Sequence, residues 1–267
     1  MDKSQVSSIY LDVQKDAHAG KRYRRISQRV ALVVGAREGN IGHAIVDRLQ
    51  DGGITVHTVD LIADGIDIAS AEGLDVITKL QPDILVLANG SNYMEWIENM
   101  ELANVEQVIH DTLTASIIAT SWWAQQVMHD PWRKSLVFIG SMAHKAVLNG
   151  SSPYCAAKAG LNHFAECCGW ELTPKGFTVH TVHPSNTFSR KDNRGNFYPH
   201  MTEATIRGLM EYRNLSRQAA EEYWGACNLM DRWLHPDDIA ELIWFLITSE
   251  SAMFMSGAAL EMKAGQR

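Results

Sequence analysis

The sequence lacks several features that mark other classes of protein. It contains no uninterrupted apolar run of the roughly 20 residues that a membrane-spanning helix requires. Its first residues, MDKSQVSSIYLDVQKD, have no apolar core of the kind found in secretory signal peptides. Its cysteines show no paired spacing typical of metal ligands: they are Cys155, Cys167, Cys168 and Cys227. We therefore expect a cytoplasmic protein with reduced thiols, no membrane segment and no metal site.

An excess of positive charge is also absent. The formal net charge is −7, which argues against nucleic acid as the main partner, because nucleic-acid phosphates attract basic surfaces. Hydrophobic residues make up 46% of the chain and charged residues 21%, which is ordinary for a soluble globular protein. A chain of 267 residues can bury a substantial core within one large α/β domain.

From Arg29 onward, short apolar runs alternate with helical segments. This alternation predicts a doubly wound parallel sheet of about seven strands with helices on both faces. The predicted strands are RVALVV, ITVHTVD, GIDI, PDILVLANG, SLVFIGS, FTVHTV and ALEM. One long helical stretch is expected over about 103–129, and another helix over Tyr154 to Leu172. Residues 1–28 are polar with a basic stretch, so we predict an N-terminal arm followed by a single domain over 29–267.

Residues 187–235 interrupt the alternation with helical segments between two predicted elements of the sheet. This insert is apolar and aromatic, through Phe188, Phe197, Tyr198, Met201, Met210, Tyr223, Trp224, Met230 and Trp233. It can be additional core, or it can be a helical lid over the substrate. We favour the lid because the insert follows the carboxyl end of a strand, where binding loops lie. An aromatic lid indicates a substrate with an apolar or ring portion.

Ligands of such sheets bind at the carboxyl ends of the strands. The first strand ends in the turn VVGAREGNIGHAI, where Gly35, Gly39 and Gly42 let the backbone approach a pyrophosphate closely. A purely structural tight turn is the alternative. Asp60 ends the second strand, where a carboxylate accepts hydrogen bonds from the adenosine ribose and repels a 2′-phosphate. It favours NAD over NADP, whereas Arg37 in the glycine turn favours NADP; we give Asp60 the greater weight.

Tyr154 and Lys158 are four residues apart, so they share one face of the predicted helix. An ammonium beside a phenol favours the phenolate, and we therefore expect Lys158 to lower the pKa of Tyr154. Such a phenol can pass a proton to or from a carbonyl oxygen, which Ser141 can hold from a second direction. An exposed helix pair without chemistry is the alternative. The set predicts reduction of a ketone or oxidation of an alcohol, with a small molecule as substrate.

With these residues assembled, the chain resembles the short-chain dehydrogenase/reductase family. The resemblance runs from about Arg29 to Gly265 and includes HPSNT after the sixth strand and the tail PDDIAELIWFLITSESAMFMSGAALEMKAG. It implies a Rossmann-type fold, hydride transfer at nicotinamide C4, and homodimers or homotetramers. It also implies that Tyr154 is the acid/base, that Ser141 positions the substrate oxygen, and that Lys158 holds the nicotinamide ribose.

The resemblance implies the cofactor-binding residues as well. Asp67 and Ile68 would contact adenine, Asn89 and Gly90 would line the cleft, and Thr187 would meet the carboxamide. The other expected cofactor ligands lie in the glycine turn, at the ends of the second and sixth strands, and in the catalytic helix: Gly35, Arg37, Asn40, Ile41, Gly42, Asp60, Pro184, Tyr154 and Lys158.

Departures from the family pattern keep alternatives open. The glycine turn has one residue more between its second and third glycines than the usual pattern. Thr112 matches the helix asparagine that often completes a proton relay, with His110 or Asp111 nearby. These departures motivate the alternative of a non-catalytic dinucleotide-binding sensor or scaffold. Epimerisation, dehydration or enoyl reduction in the same cleft is a third possibility.

Overall fold

Short runs of β-branched and aliphatic residues form a single parallel sheet. The computed structural model describes residues 21–187, 206–211, 213–226 and 234–263. Six strands pair in the order β2-β1-β3-β4-β5-β6, and all pairs are parallel. They are β1 (Val30–Val34), β2 (Thr55–Val59), β3 (Ile84–Leu87), β4 (Lys134–Ile139), β5 (Phe177–Pro184) and β6 (Ala259–Met262). The middle strands are buried along their length, as expected for strands covered on both faces.

Helices cover both faces of this sheet. They are α1 (Ile41–Asp51), α2 (Ala71–Leu80), α3 (Leu102–Ile109), α4 (Ala115–Val127), α5 (Ser152–Leu172), α6 (Arg217–Ala226) and α7 (Pro236–Thr248). One core layer holds the apolar faces of α2, α4 and α5, and the opposite layer holds those of α1 and α7. The predicted doubly wound α/β class is therefore confirmed. Within the described ranges, no helix combines the length and the apolar character needed to cross a membrane.

The sheet has six strands rather than about seven, because the predicted strand GIDI does not form. Gly65 has φ +73° in the left-handed region, which breaks an extended run. Asp67 Oδ1 then accepts a hydrogen bond from Ala69 N at 2.8 Å, and Ser70 caps α2 by accepting from Gly73 N at 3.2 Å. Residues 65–67 thus form no regular secondary structure, a turn at 68–69 leads into α2, and β2 stands at the end of the strand order.

The long helical stretch predicted over about 103–129 is interrupted at its centre. A π-helical turn, His110–Thr114, lies between α3 and α4. Such turns insert an extra residue into a helix and change which side chains face its neighbours. Here the turn lies beside the carboxyl end of β3, because Asn89 Nδ2 donates to Asp111 O at 2.6 Å.

The segment at 21–28, from the predicted arm, binds the amino-terminal edge of the sheet. Lys134 begins β4, is 1% exposed, and lies 2.7 Å from both Asp83 and Asp130. Arg24 adds a second cation at 3.5 Å from each of these carboxylates. Lys21 Nζ donates to Met128 O at 3.2 Å. Residues 1–20 lie outside the described residues, and the division into an arm and a domain stays a prediction.

The predicted insert leaves and rejoins the domain at one place. Thr187 and Leu234 form an isolated parallel β-bridge at its two ends. Inside the insert, the helical residues 206–211 pack on α6 through a small core of Ile206, Leu209 and Ala220. The remaining residues of the insert, 188–205, 212 and 227–233, lie outside the described residues, so the lid stays a prediction.

Candidate active site

The glycine turn after β1 brings three backbone segments into close approach. Gly35 has φ +77°, and a Cβ built on it would lie 2.8 Å from the backbone of Ala88 and Asn89, just after β3. A Cβ on Gly42, at the start of α1, would lie only 2.2 Å from Gly35 O. Backbone atoms therefore pack closely against the turn both from the segment after β3 and from the start of α1. Glycines in these places leave a cradle of the kind that admits a pyrophosphate.

The additional residue in this turn is accommodated by a helix cap. Asn40 Oδ1 accepts a hydrogen bond from His43 N at 2.9 Å, which caps α1. Asn40 Nδ2 donates to Gly35 O at 3.0 Å, so the same side chain ties the two ends of the turn. Gly39 N donates to His43 Nδ1 at 3.1 Å. The longer turn still delivers the N-terminus of α1 to the carboxyl end of β1.

Asp60 serves as a turn former after β2. Its Oδ1 accepts hydrogen bonds from Ile62 N and Ala63 N, both at 2.9 Å. Its own N–H donates to Asp64 Oδ2 at 2.9 Å. Only one carboxylate oxygen is needed for this turn, so the turn-forming role and a ribose-binding role are compatible. The carboxylate lies at the carboxyl end of β2, as the sequence predicts.

Asp67 and the buried Ile68 follow in the turn before α2, and Asp67 has a partner that the sequence did not reveal. His110 Nε2 lies 2.7 Å from Asp67 Oδ2, which joins the π-helical turn to the predicted adenine region. The Nε2 atom of His110 is therefore engaged with Asp67. The proton-relay role that the sequence offers for His110 or Asp111 stays a prediction.

Ser141, Tyr154 and Lys158 meet beyond the carboxyl end of β4. Ser141 begins the short 3-10 segment Met142–His144 and accepts a hydrogen bond from Ala143 N at 3.1 Å. Lys158 Nζ lies 5.7 Å from the centroid of the Tyr154 ring and donates to Ile139 O at 2.8 Å. Ser141 thus follows β4 directly, while a hydrogen bond holds Lys158 to the last residue of the same strand.

The pKa of Tyr154 is shifted in the direction opposite to the predicted one. Burial raises the pKa of the phenol, and the hydrogen bond with the Ser141 side chain opposes this by lowering it. Burial also lowers the pKa of Lys158, which is 4% exposed, to about 8. The spacing correctly predicted the proximity of phenol and ammonium. It overlooked desolvation, which opposes ionisation of both groups.

Thr112 lies in the π-helical turn and joins the same cluster. It is fully buried, and its Oγ1 donates to Ser91 O at 3.4 Å. A Cβ built on Gly90 would lie 3.1 Å from Thr112 Oγ1 and 3.6 Å from Lys158 Nζ. Gly90, Thr112 and Lys158 therefore lie around one point beside the cradle.

The predicted carboxamide ligand has an internal partner. Thr187 is buried, and its Oγ1 donates to Ser185 O at 2.8 Å. Pro184 ends β5 and pairs in register with Met262 of β6. Both residues lie at the carboxyl edge, close to the base of the insert. The hydroxyl oxygen of Thr187 can still accept a hydrogen bond from an amide N–H.

Sequence reasoning assigned no role to His183, which contacts Ser141 directly. Ser141 N lies 3.1 Å from His183 Nδ1, and the rings of His144 and His183 stack with centroids 3.8 Å apart. The sequence feature that could have indicated this contact is the position of His183 near the carboxyl end of β5, the strand that pairs with β4. Among the described residues, no group of three or more His, Cys, Asp or Glu side chains could hold a metal ion.

The sheet, with the glycine turn at its carboxyl edge, defines a doubly wound α/β protein. The family described as short chain dehydrogenase matches residues 74–194. The acetoacetyl-CoA reductase of Allochromatium vinosum is 28% identical, over 89% of this chain and 98% of that protein. These matches support the short-chain dehydrogenase/reductase family, which the sequence resembles.

Solved structures show the same fold. Actinorhodin polyketide ketoreductase with NADPH is 22% identical and superposes with a TM-score of 0.79, covering 90% of this chain and 98% of that one. The 4-hydroxyisoleucine dehydrogenase complexed with NADH is 20% identical and superposes with a TM-score of 0.71, covering 89% of this chain and 98% of that one.

Proposed function

We propose that this protein interconverts a secondary alcohol and a ketone, using NAD as the hydride acceptor or donor. The observation that carries the proposal is the meeting of Ser141, Tyr154 and Lys158 beyond β4, beside the glycine cradle. When bound, the nicotinamide ring supplies or accepts the hydride. The protein then has to hold the substrate oxygen and move one proton, which a serine hydroxyl and a phenol can do.

In the direction of ketone reduction, the three residues divide the work. The Ser141 hydroxyl donates a hydrogen bond to the carbonyl oxygen and holds it beside Tyr154. As the carbonyl carbon gains the hydride, Tyr154 gives its proton to the oxygen, so that an alcohol forms. Lys158 stabilises the resulting phenolate, because it lies near the ring and is charged below a pKa of about 8. Alcohol oxidation reverses these steps.

The backbone around the cradle fits a nicotinamide dinucleotide. The positions of Gly35, Gly42 and Gly90 each leave space that a side chain would fill. Thr112 is proposed to continue the proton path from Lys158 through its buried hydroxyl. The proposed cofactor ligands are those named from the sequence: Gly35, Arg37, Asn40, Ile41, Gly42, Asp60, Asp67, Ile68, Asn89, Gly90, Tyr154, Lys158, Pro184 and Thr187. The homodimeric or homotetrameric state and the cytoplasmic location stay predictions.

A cofactor-coupled screen tests the proposal. The protein is incubated with NADH or NADPH and a panel of ketones that includes cyclic ketones, keto sugars and 3-oxoacyl thioesters, and the reverse panel of alcohols is offered with NAD or NADP. We expect loss of cofactor absorbance in proportion to the alcohol formed. Product formation without net change in absorbance would indicate epimerisation. Cofactor binding without turnover across both panels would instead support the sensor alternative.

The choice between NAD and NADP is tested at Asp60. In Asp60→Asn, the side-chain oxygen can still accept from Ile62 N and Ala63 N, so the turn is kept while the charge is lost. We expect affinity for NADPH to rise at least about tenfold relative to NADH, because the repulsion of a 2′-phosphate is removed. Dissociation constants from reduced-cofactor fluorescence measure this ratio. Asp64→Asn, in the same turn, is the control, and an equal ratio in both variants would exclude Asp60 as the discriminating residue.

A further inference from the structure

Ser141 is held at its backbone by a side chain rather than by the sheet. The β4–β5 ladder runs to the pair Ile139–Val182, and Gly140 N donates to Val182 O at 2.7 Å. Beyond this point the imidazole of His183 takes over, with Nδ1 at 3.1 Å from Ser141 N. The ring is fully buried and lies over Gly140, where a Cβ would approach Nδ1 to 2.3 Å.

The far side of the ring determines which nitrogen carries the proton. His183 Nε2 lies 2.9 Å from Asn162 Oδ1, and Asn162 Nδ2 donates to Glu166 Oε1 at 3.0 Å. Because a carboxylate only accepts, the amide nitrogen of Asn162 faces Glu166 and its oxygen faces His183. His183 therefore donates from Nε2–H, which leaves Nδ1 as an acceptor. Two backbone atoms of Ser141 lie near Nδ1: N at 3.1 Å, which can donate to it, and O at 3.0 Å, which cannot.

The carbonyl of Ser141 is held from the same side. His144 Nδ1 lies 2.8 Å from Ser141 O, and a carbonyl accepts, so this nitrogen carries a proton. The His144 ring stacks on His183 with an interplanar angle of 29°. The two imidazoles thus bind the N–H and the C=O of one residue, and they limit how its peptide groups can turn.

We propose that neutral His183, oriented by Asn162, is a positioning residue that fixes the Ser141 backbone and so directs the Ser141 hydroxyl toward the substrate oxygen. This inference rests on the proposed function, because it assigns Ser141 the task of holding that oxygen. The hydroxyl has one rotatable bond beyond the backbone, so turning the peptide at Ser141 moves it directly. A displacement of about 1 Å in a catalytic group can lower a rate about a hundredfold.

The charges around the ring favour its neutral form. The groups that face His183 are His144 from the 3-10 segment, Lys158 from α5 and Glu261 from β6. The pKa of His183 is lowered to about 4, chiefly by burial and also by His144 and Lys158, while the hydrogen bond with the Ser141 backbone and the charge of Glu261 oppose this shift. Protonation at Nδ1 would place a second donor against the Ser141 N–H. The hydrogen bond from the Ser141 N–H to Nδ1 would then be lost, and Nδ1–H would donate instead to Ser141 O, 3.0 Å away.

Asn162→Asp tests this chain of contacts. The carboxylate still accepts from His183 Nε2–H but adds a negative charge beside the ring, which favours the imidazolium. We expect the pH at which kcat falls on the acid side of its pH profile (its acid limb) to rise by about one to three pH units. Cofactor affinity should stay unchanged across the same pH range. Asn104→Asp, on α3, adds an equal charge away from the site and should leave the limb in place.

Nitrogen-15 spectroscopy of the imidazoles gives a readout that does not depend on turnover. The His183 signal, assigned by its loss in His183→Asn, should show protonated Nε2 and bare Nδ1, and its titration should move upward in Asn162→Asp. A proton on Nδ1 at neutral pH would overturn the inference even if Asn162→Asp failed to fold. The inference would also be overturned if the pH dependence of kcat stayed fixed while the titration of the His183 ring moved. It would be overturned as well if cofactor affinity changed over the same pH range as kcat, because the effect would then belong to Lys158. Absence of any turnover in the wild type would instead count against the proposed function.

Discussion

Replacing Tyr154 with phenylalanine is expected to abolish measurable turnover, lowering kcat by at least about 10² to 10⁴-fold. The variant keeps the ring near Lys158 but removes the only hydroxyl proposed to exchange a proton with the substrate oxygen. Steady-state rates with the substrate found by screening measure the loss. Titration of reduced-cofactor fluorescence should show a dissociation constant close to that of the wild type, because the glycine cradle and Lys158 are intact.

Tyr23→Phe is the matched control for this substitution. Tyr23 lies in the segment at the amino-terminal edge of the sheet, where Arg29 stacks over its ring at 4.5 Å, so its hydroxyl is remote from the predicted chemistry. Its turnover should equal that of the wild type. If Tyr154→Phe retained wild-type kcat, the assignment of Tyr154 as acid/base would be wrong. The protein could then be an enzyme only by a route that does not use this phenol.

The pKa shift of Tyr154 bears on the direction of the reaction that the site favours. Because burial raises the pKa of the phenol, it is protonated at neutral pH. A protonated phenol is the form that ketone reduction requires of a proton donor. Alcohol oxidation needs the phenolate, so it is expected to become faster as the pH rises. This argument follows from the three-dimensional burial of the side chain and could not have been made from the spacing of Tyr154 and Lys158.

Much of the fold was predictable because its determinants are local. The buried strands β1, β3, β4 and β5 are short runs of aliphatic and β-branched residues, and the glycines and polar residues that follow mark their carboxyl ends. The prediction of a strand at GIDI was wrong, although its residues alternate in a similar way. The left-handed backbone at Gly65 and the turn-forming carboxylate of Asp67 prevent an extended strand there. The π-helical turn gave no such local signal, since a helix that gains one residue keeps nearly the same composition.

The candidate site was predictable in its residues but not in its energetics. The rule that ligands bind at strand carboxyl ends located Gly35, Asp60 and Ser141. The contact of Ser141 with His183 joins positions 42 residues apart in the chain, so it depends on the β4–β5 pairing. Desolvation likewise depends on everything packed around a group. The sequence therefore indicated which groups meet, whereas the directions of their pKa shifts required the folded structure.

Gly42→Ala is expected to weaken cofactor binding by about a hundredfold, which is the second large effect that the structure predicts. The new Cβ would lie 2.2 Å from Gly35 O and 2.9 Å from Ala36 Cα. Both are backbone atoms, so no side-chain rotation relieves the overlap, and either the start of α1 or the glycine turn has to move. The backbone of Ala88 and Asn89 stands close behind Gly35 and limits its retreat. Fluorescence titration with NADH and NADPH measures the loss.

Gly53→Ala separates this local effect from a general loss of stability. Gly53 follows α1 with φ +85°, and a Cβ there would meet nothing within 4 Å. The control is expected to lower the free energy of unfolding by about 1 to 2 kcal/mol through backbone strain alone, with cofactor affinity unchanged. Gly42→Ala should also lose stability, because overpacking typically costs about 1 to 3 kcal/mol. The cofactor affinities of both variants are therefore compared at a temperature where both are fully folded, and Gly42→Ala should still bind more weakly there. If Gly42→Ala instead bound the dinucleotide as tightly as Gly53→Ala, the close approach of α1 to the turn would have no part in forming the cofactor site.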